Sequence, residues 1–439
     1  MSTNSVKDVL NAIVNHGRSL FSMDRYAKGS VEQLLKLCDD LLSMAGEALG
    51  VALAGQFIAC YQSLDKQQKH RFFIALAERY DHDPKSLNAA IAAYQENGNP
   101  DVVRAINQAS QPRRRELFQR INLAPGGTAA LVAMRKELFG FMKDSPSLKA
   151  VDQDLKYLFV SWFNRGFLEM RRIDWNTSAS ILEKIIRYEA VHAIQDWEDL
   201  RRRIDPPDRR CYAFFHPSLV DDPLIFVEVA LTVEKSIAIQ PVLAKDRSTL
   251  NPLGTDTAVF YSISNCQVGL RGISFGSFLI KQVVGNLKAE LPNLSRFITL
   301  SPIPNLMTWF RSLPPERLGF DSPDKASDFL DHLATGEWMD NQKTRDQYDK
   351  LLRPLAAHYF FEAKSRGKPF DPVARFHLGN GASLEKVNWL ADTSRNGLSQ
   401  SGGMMVNYRY KIHEIEKNHE RYAAHDEVVA TAKVTRLLS

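Results

Sequence analysis

At 439 residues, with 44% hydrophobic and 24% charged residues, the chain has globular composition and length enough for two or three domains with cores of their own, so disorder is not the default. Its net charge of +5 is a mild basic excess that suits a small anionic ligand as well as nucleic acid and by itself selects neither. Cys38, Cys60, Cys211 and Cys266 have neither metal-type spacing nor the density of a disulfide scaffold, so a reducing compartment is implied.

Residues 1–21 lack the continuous apolar core of a signal peptide, and Asp8 argues against a transit peptide. The longest apolar stretch, Ala48 to Ala59, contains Gln56 and is shorter than the ~20 residues that a spanning helix needs. The expectation is a cytoplasmic protein with no membrane segment. Residues 1–188 read as helices throughout. Val31 to Leu64 carries a long apolar periodicity, and Asp83-Pro84, Asn99-Pro100 and Ser145-Pro146 each set a capping residue before a proline in a first turn. Short polar breaks between such segments predict an antiparallel bundle. Arg113, Arg114 and Arg115 read as a solvated face, with a patch for phosphate or an acidic partner as the less favoured reading.

A second domain, 189–439, follows. RRRIDPPDRRC (201–211) reads as a surface turn or hinge, with phosphate binding as the alternative. Near Cys211 the period shortens: CYAFFH, PLIFVEVAL (223–231), SIAIQPVLA (236–244) and TAVFYSIS (257–264) predict an antiparallel meander. The last strand ends near Cys266 and opens into Gly269, Gly272 and Gly276. A helix follows, with Phe275, Phe278, Leu279, Val283, Val284, Leu287 and Leu291 on one face, stopped by Pro292. Phe297 to Leu300 then forms a strand ending on Ser301 and the prolines of SPIP. Strand, glycine loop, helix and strand make either tight turns with close packing or an anion site at a helix N-terminus. The spacing is neither a P-loop nor a dinucleotide fingerprint; Gln267-x-Gly269-x-x-Gly272 resembles, loosely, the pyrophosphate loop of acetyltransferase-type folds. Farther on, Asp324 to Leu333 and Thr344 to Lys364 are predicted helices, PVARFHLGNGA (372–382) is strand-like, and Lys411 to Leu438 is a charged helix.

Among eleven histidines there is no HExxH, and His413 and His419 are six apart, so a metal site is not expected. G-x-S-x-G is absent, which disfavours an α/β-hydrolase. Cys266 near a strand end reads as packing rather than as a nucleophile. What remains is a polar set at strand ends, Ser262, Ser301, His377 and Tyr410, each with an ordinary structural reading when taken alone.

The stretch from YSIS to SPIP, with EAVHAIQDWEDLRRR (189–203), FHLGNGA and NYRY, closely resembles the malonyl-CoA decarboxylase family over nearly the whole chain. The resemblance implies an α+β protein: a helical N-terminal bundle (1–188) that mediates homo-oligomerisation, a tetramer being the candidate state, then an acetyltransferase-like catalytic domain (189–439). It assigns catalysis to Ser301 and His377 and substrate contacts to Ser262 and Tyr410, while Gly269 and Gly272 are placed to meet the CoA pyrophosphate. Animal members carry a glutamate where this chain has Ser274, and the TRLLS terminus lacks the S-K-L ending of some of them. Malonyl-CoA is the implied substrate, with no metal, organic cofactor, nucleic acid or membrane partner. Loss of CO2 leaves a thioester enolate, which Ser301 would stabilise at oxygen and His377, with an imidazole pKa near the working pH, would protonate at carbon. Two rivals share the fold or the ligand: an acyltransferase that needs an acceptor, and a non-catalytic acyl-CoA sensor.

Overall fold

The computed structural model describes residues 29–43, 46–233, 236–273, 279–365 and 367–439. The chain forms two compact units. One holds the described residues up to Leu168, with His216–Val220 and the described part of Gln267–Ser274; the other holds Glu169–Phe215, Asp221–Cys266 and the described residues from Leu279 onward.

The first unit is helical. The apolar run from Val31 to Leu64 divides into Val31–Ser43 and Glu47–Ser63, and Asp65 opens Lys66–Arg79 through a capping box with Gln68. Asp83 accepts from the amides of Lys85 and Ser86, and Asn99 from that of Val102, as the X-Pro pairs predict. Ser145 does not cap; its hydroxyl meets His70 Nε2 at 2.9 Å, and a 3-10 turn at Pro146–Leu148 leads directly into the helix Lys149–Trp162. Phe57, Tyr61, Phe72 and Phe73 pack ring on ring, and the two rings that meet Phe72 from the preceding helix lie 5.8 and 5.9 Å from it. The arginine run is not a solvated face: only Arg113 is exposed, whereas Arg114 is 2% exposed and bonds Asp154 at 2.6 Å and Asp81 at 3.3 Å, with Arg115 on the other oxygen of Asp154. A guanidinium taken from water needs that carboxylate.

The second unit is a mixed sheet with helices, eight-stranded among the described residues. Its strands are β1 (Glu169–Ile173), β2 (Arg209–Phe215), β3 (Ile225–Thr232), β4 (Thr257–Asn265), β5 (Arg296–Thr299) and β6 (Ser301–Pro302), then β9 (Ser383–Asn388) and β10 (Met405–Arg409). β7 (Lys364–Ser365) and β8 (Lys368–Pro369) form a separate short ladder. The order is β1-β2-β3-β4-β5-β10-β6, with β9 also on β10. β1 to β4 are the expected antiparallel meander, and β4 and β5 then run parallel, giving the expected mixed sheet of an α+β protein. The units divide at Leu168/Glu169 rather than at 188. The cause is β1, which pairs with β2, and the helix Ala179–Tyr188, whose Ile181, Leu182 and Ile185 pack in one cluster with Cys211, Ala213 and Phe226.

Three further expectations change. SIAIQPVLA is not a strand but ends in the short helix Gln240–Leu243, with Pro241 in its first turn. PVARFHLGNGA is not a strand either: it forms the helix Pro372–Gly379, because Asp371 caps it and Pro372 begins it. The C-terminal helix is broken into Ile415–His425 and Ala432–Thr435. The start of the helix predicted from Phe275 lies outside the described residues; Leu279–Glu290 is helical.

Candidate active site

β4 and β5 pair only from Thr257↔Arg296 to Phe260↔Thr299. Beyond that point β4 continues to Asn265, carrying a bulge at Tyr261, while the other chain leaves β5 and re-pairs as β6, with Ser301 opposite Val406 of β10. The two strands therefore part, and a cavity of about 200 Å³ opens between them, walled by Phe260, Ile263, Leu300, Val373 and Phe376. Ser301 and His377 line it.

The period of two along Thr299-Leu300-Ser301 puts both hydroxyls on one side. Ser301 Oγ donates to Thr299 Oγ1 at 2.8 Å and lies 3.0 Å from His377 Nε2. Thr299 Oγ1 also accepts from the backbone N–H of Tyr408 at 3.1 Å. His377 stands in the second turn of Pro372–Gly379, whose entry is fixed by Asp371 accepting from the amides of Val373 and Ala374, each at 2.9 Å. Tyr359 donates to the other carboxylate oxygen at 3.3 Å, and burial pushes Asp371 up to about 6. Past the helix end the chain turns at Gly381, where φ is +79° and a Cβ would strike the carbonyl of Ile415, so only glycine fits.

His377 is 2% exposed, and its ring stacks on Tyr408 with centroids 4.5 Å apart. Its Nδ1 meets Tyr410 Oη at 2.8 Å. Burial drives the imidazole down to about 3, so it is neutral at every ordinary working pH, contrary to the expectation of a group titrating near 7. Burial likewise pushes the Tyr410 phenol well above 10 and keeps its proton on. Ser301, His377 and Tyr410, three of the residues singled out from sequence, thus form one hydrogen-bonded line.

Ser262 stands elsewhere in this unit. Its hydroxyl is committed to Glu189, at 2.8 and 2.7 Å from the two carboxylate oxygens, and Glu189 also accepts from the amides of Val191 and His192. Val191 lines the cavity, so Ser262 reaches that cavity through the turn it holds. Gly269 and Gly272 belong to the helical unit. A Cβ on Gly269 would meet the Val132 carbonyl at 2.0 Å, and Arg135 donates to the carbonyls of Gly269 and Arg271, so close packing accounts for this glycine. Gly272 has φ of +78° and its Cβ position meets nothing nearer than Lys156 Nζ at 3.8 Å. The amides of Leu270, Arg271 and Ile273 are already spent on turns within the loop.

Ser274 and Gly276 lie outside the described residues. Cys266 is buried and its thiol is pushed well up by desolvation, the inert state expected of a packed cysteine. The arginines of 201–211 are all paired: Arg201 with Asp205, Arg202 and Arg203 with Asp199, Arg209 with Asp208, and Arg210 with Glu290.

Thr299, Tyr408, Glu189 and Asp371 were not singled out from sequence. Two of them had a signal: Thr299 is two residues before Ser301, and Asp371-Pro372 repeats the capping pattern of Asp83-Pro84. Glu189 had none, because 73 residues separate it from Ser262.

Comparison with known proteins was made against this geometry. The family model described as the malonyl-CoA decarboxylase C-terminal domain matches residues 166–439, and the N-terminal domain model of the same family matches residues 80–163. The chain is 36% identical over 353 residues to the mitochondrial malonyl-CoA decarboxylase of Anser anser anser, covering 75% of this chain and 70% of that protein. Two solved structures, the malonyl-CoA decarboxylases of Rhodopseudomonas palustris and Agrobacterium vitis, share 50% and 47% identity. Their TM-scores are 0.88 and 0.86; each covers 93% of this chain, and the matches take in 99% and 100% of the respective structures.

Proposed function

Since the chain belongs to the malonyl-CoA decarboxylase family, we propose that the line Ser301–His377–Tyr410 is where it converts malonyl-CoA to acetyl-CoA and CO2. The observation that carries the assignment is the 3.0 Å approach of Ser301 Oγ to a buried, uncharged His377 at the wall of the cavity. The bond between the α-carbon and the carboxylate breaks, its electron pair moves toward the thioester oxygen, and CO2 departs. Ser301 turns its O–H from Thr299 to that oxygen, an interaction worth about 2.7–4 kcal/mol when made mainly in the transition state. The enolate carbon then needs a proton.

A neutral imidazole carries one N–H; with the Ser301 proton given to Thr299, Ser301 Oγ accepts that N–H from Nε2, and Nδ1 accepts from Tyr410. A thioester enolate is basic enough at carbon to take that proton from a neutral ring, as neutral imidazole serves in other buried sites. Tyr410 steadies the ring through its bond to Nδ1 and keeps its own proton, and the proton lost from Nε2 is restored from water as product leaves. The apolar wall leaves the departing carboxylate poorly solvated. This chemistry asks for no metal or organic cofactor, and none is assigned. Of the two loop glycines, Gly272 alone is kept as a candidate for contact with CoA, because its Cβ position is open, while the neighbouring amides are already bonded within the loop. Substrate contact by Ser262 is kept only in the indirect form that its bond to Glu189 supports.

We further assign a homo-oligomer, a tetramer being the working number, assembled through the helical unit, which exposes Tyr157 and Val160 on one helix. The proposed compartment is the cytoplasm, on four buried free thiols; no described helix is long and apolar enough to cross a membrane. The test is incubation of pure protein, dialysed exhaustively against a chelator, with malonyl-CoA alone. Stoichiometric CO2 and acetyl-CoA are expected. Turnover that appears only with an added acceptor, or only after metal is restored, would overturn the assignment.

A further inference from the structure

We propose that Thr299 is a positioning residue that sets the direction of the whole proton chain. The inference rests on the reading of Ser301 given above. Thr299 is fully buried and its oxygen receives two donors: the backbone N–H of Tyr408 and the hydroxyl of Ser301. Its position is fixed from the backbone as well, since Asn407 Nδ2 donates to the Thr299 carbonyl at 2.6 Å and Asn388 Nδ2 donates to Asn407 Oδ1 at 2.7 Å.

The consequence follows from counting protons. Ser301 has one hydroxyl proton, and Thr299 takes it. Ser301 Oγ is then an acceptor toward His377, which puts the single ring proton on Nε2 and makes Nδ1 accept from Tyr410. Tyr410 to His377 to Ser301 to Thr299 becomes a one-way series of donors, ended by an oxygen that a main-chain amide holds in place. Without the Thr299 hydroxyl, Ser301 has no acceptor there and its proton turns to Nε2. The ring then carries its proton on Nδ1, facing Tyr410, and nothing on the substrate side of the imidazole can be given to a carbanion. Thr299 touches no substrate in this scheme; it acts only through Ser301.

The experiment compares Thr299→Val and Thr299→Ser in the full chain. Three readouts are taken: kcat, KM for malonyl-CoA, and the ring tautomer of His377 from imidazole nitrogen-15 shifts. Thr299→Val is expected to lower kcat about tenfold or more, to leave KM within about twofold, and to move the ring proton from Nε2 to Nδ1. Thr299→Ser, which restores the oxygen, is expected to recover most of kcat and the Nε2–H form. A folded Thr299→Val protein with unchanged kcat and tautomer overturns the proposal, and so does a Thr299→Ser protein as impaired as Thr299→Val. Should Thr299→Val fail to fold, Thr299→Cys against Thr299→Ser carries the same contrast, because a thiol is a far weaker acceptor than a hydroxyl. Repeating Thr299→Val in a Ser301→Ala background separates the two readings. The kcat effect of Thr299→Val should vanish there, and its persistence overturns the proposal while leaving the role of Ser301 intact. Wild-type kcat in Ser301→Ala itself sinks the reading of Ser301, and this proposal with it.

Discussion

The cluster around Asp154 in the helical unit and the line through His377 in the sheet unit bury polar groups in opposite ways, although the sheet unit also buries ion pairs such as Arg203–Asp199. Around Asp154, Arg114 and Arg115 the buried groups are full charges, each held by its opposite, and the arrangement has one state. The line through His377 is neutral: a serine, a threonine, two tyrosines and an imidazole that burial keeps uncharged. A desolvated ion pair is locked because losing either partner leaves a bare charge. A neutral hydrogen-bonded line can exchange one donor for another at little cost, which is what a site that must meet a transient enolate requires.

That contrast can be broken from either side. The largest effect is expected at the neutral line. His377→Asn should reduce kcat by roughly 10²- to 10⁴-fold and Ser301→Ala by roughly 10²- to 10³-fold, each with KM for malonyl-CoA nearly unchanged, because both interactions are made mainly with the enolate-like transition state. The losses should be less than multiplicative in the double variant, since the two residues serve one intermediate. Steady-state kinetics on purified, folded variants decide this, and a double loss equal to the product of the singles would assign them separate tasks.

The ion pair should behave otherwise. Asp154→Ala leaves Arg114 buried with only the longer contacts to Asp81 and the Ala77 carbonyl, and a loss of about 3–5 kcal/mol in unfolding free energy is expected, with kcat per folded molecule unchanged. Denaturant melts beside activity measurements check both halves. A stable Asp154→Ala protein, or a folded one with reduced kcat, would blur the contrast.

Much of this organisation was legible in the residues. Apolar periodicity located the bundle, the shift to period two near Cys211 located the meander, and the strand-end polar set contained Ser301, His377 and Tyr410. Two local patterns misled. The β-like look of PVARFHLGNGA hid a helix that Asp371-Pro372 announces, and three adjacent arginines looked solvated although two of them share one carboxylate from a distant helix. The parts that no local pattern carries are those made by distance in sequence. Glu189 beneath Ser262 is one, and the protonation state of His377 is another. An imidazole looks like a group titrating near 7 until the side chains that exclude water from it are in place.

The central claim is that the site works with an uncharged His377. It is tested most directly by kcat at saturating malonyl-CoA from pH 5 to 8. A histidine moved from 6.5 to about 3 is more than nine-tenths neutral throughout that range, so protonation, which would need acid beyond it, cannot shape the profile. The account predicts a kcat with no inflection near 6.5. A tenfold change in kcat per pH unit on one side of a midpoint near 6.5, present in the wild type and absent from His377→Asn, would contradict it.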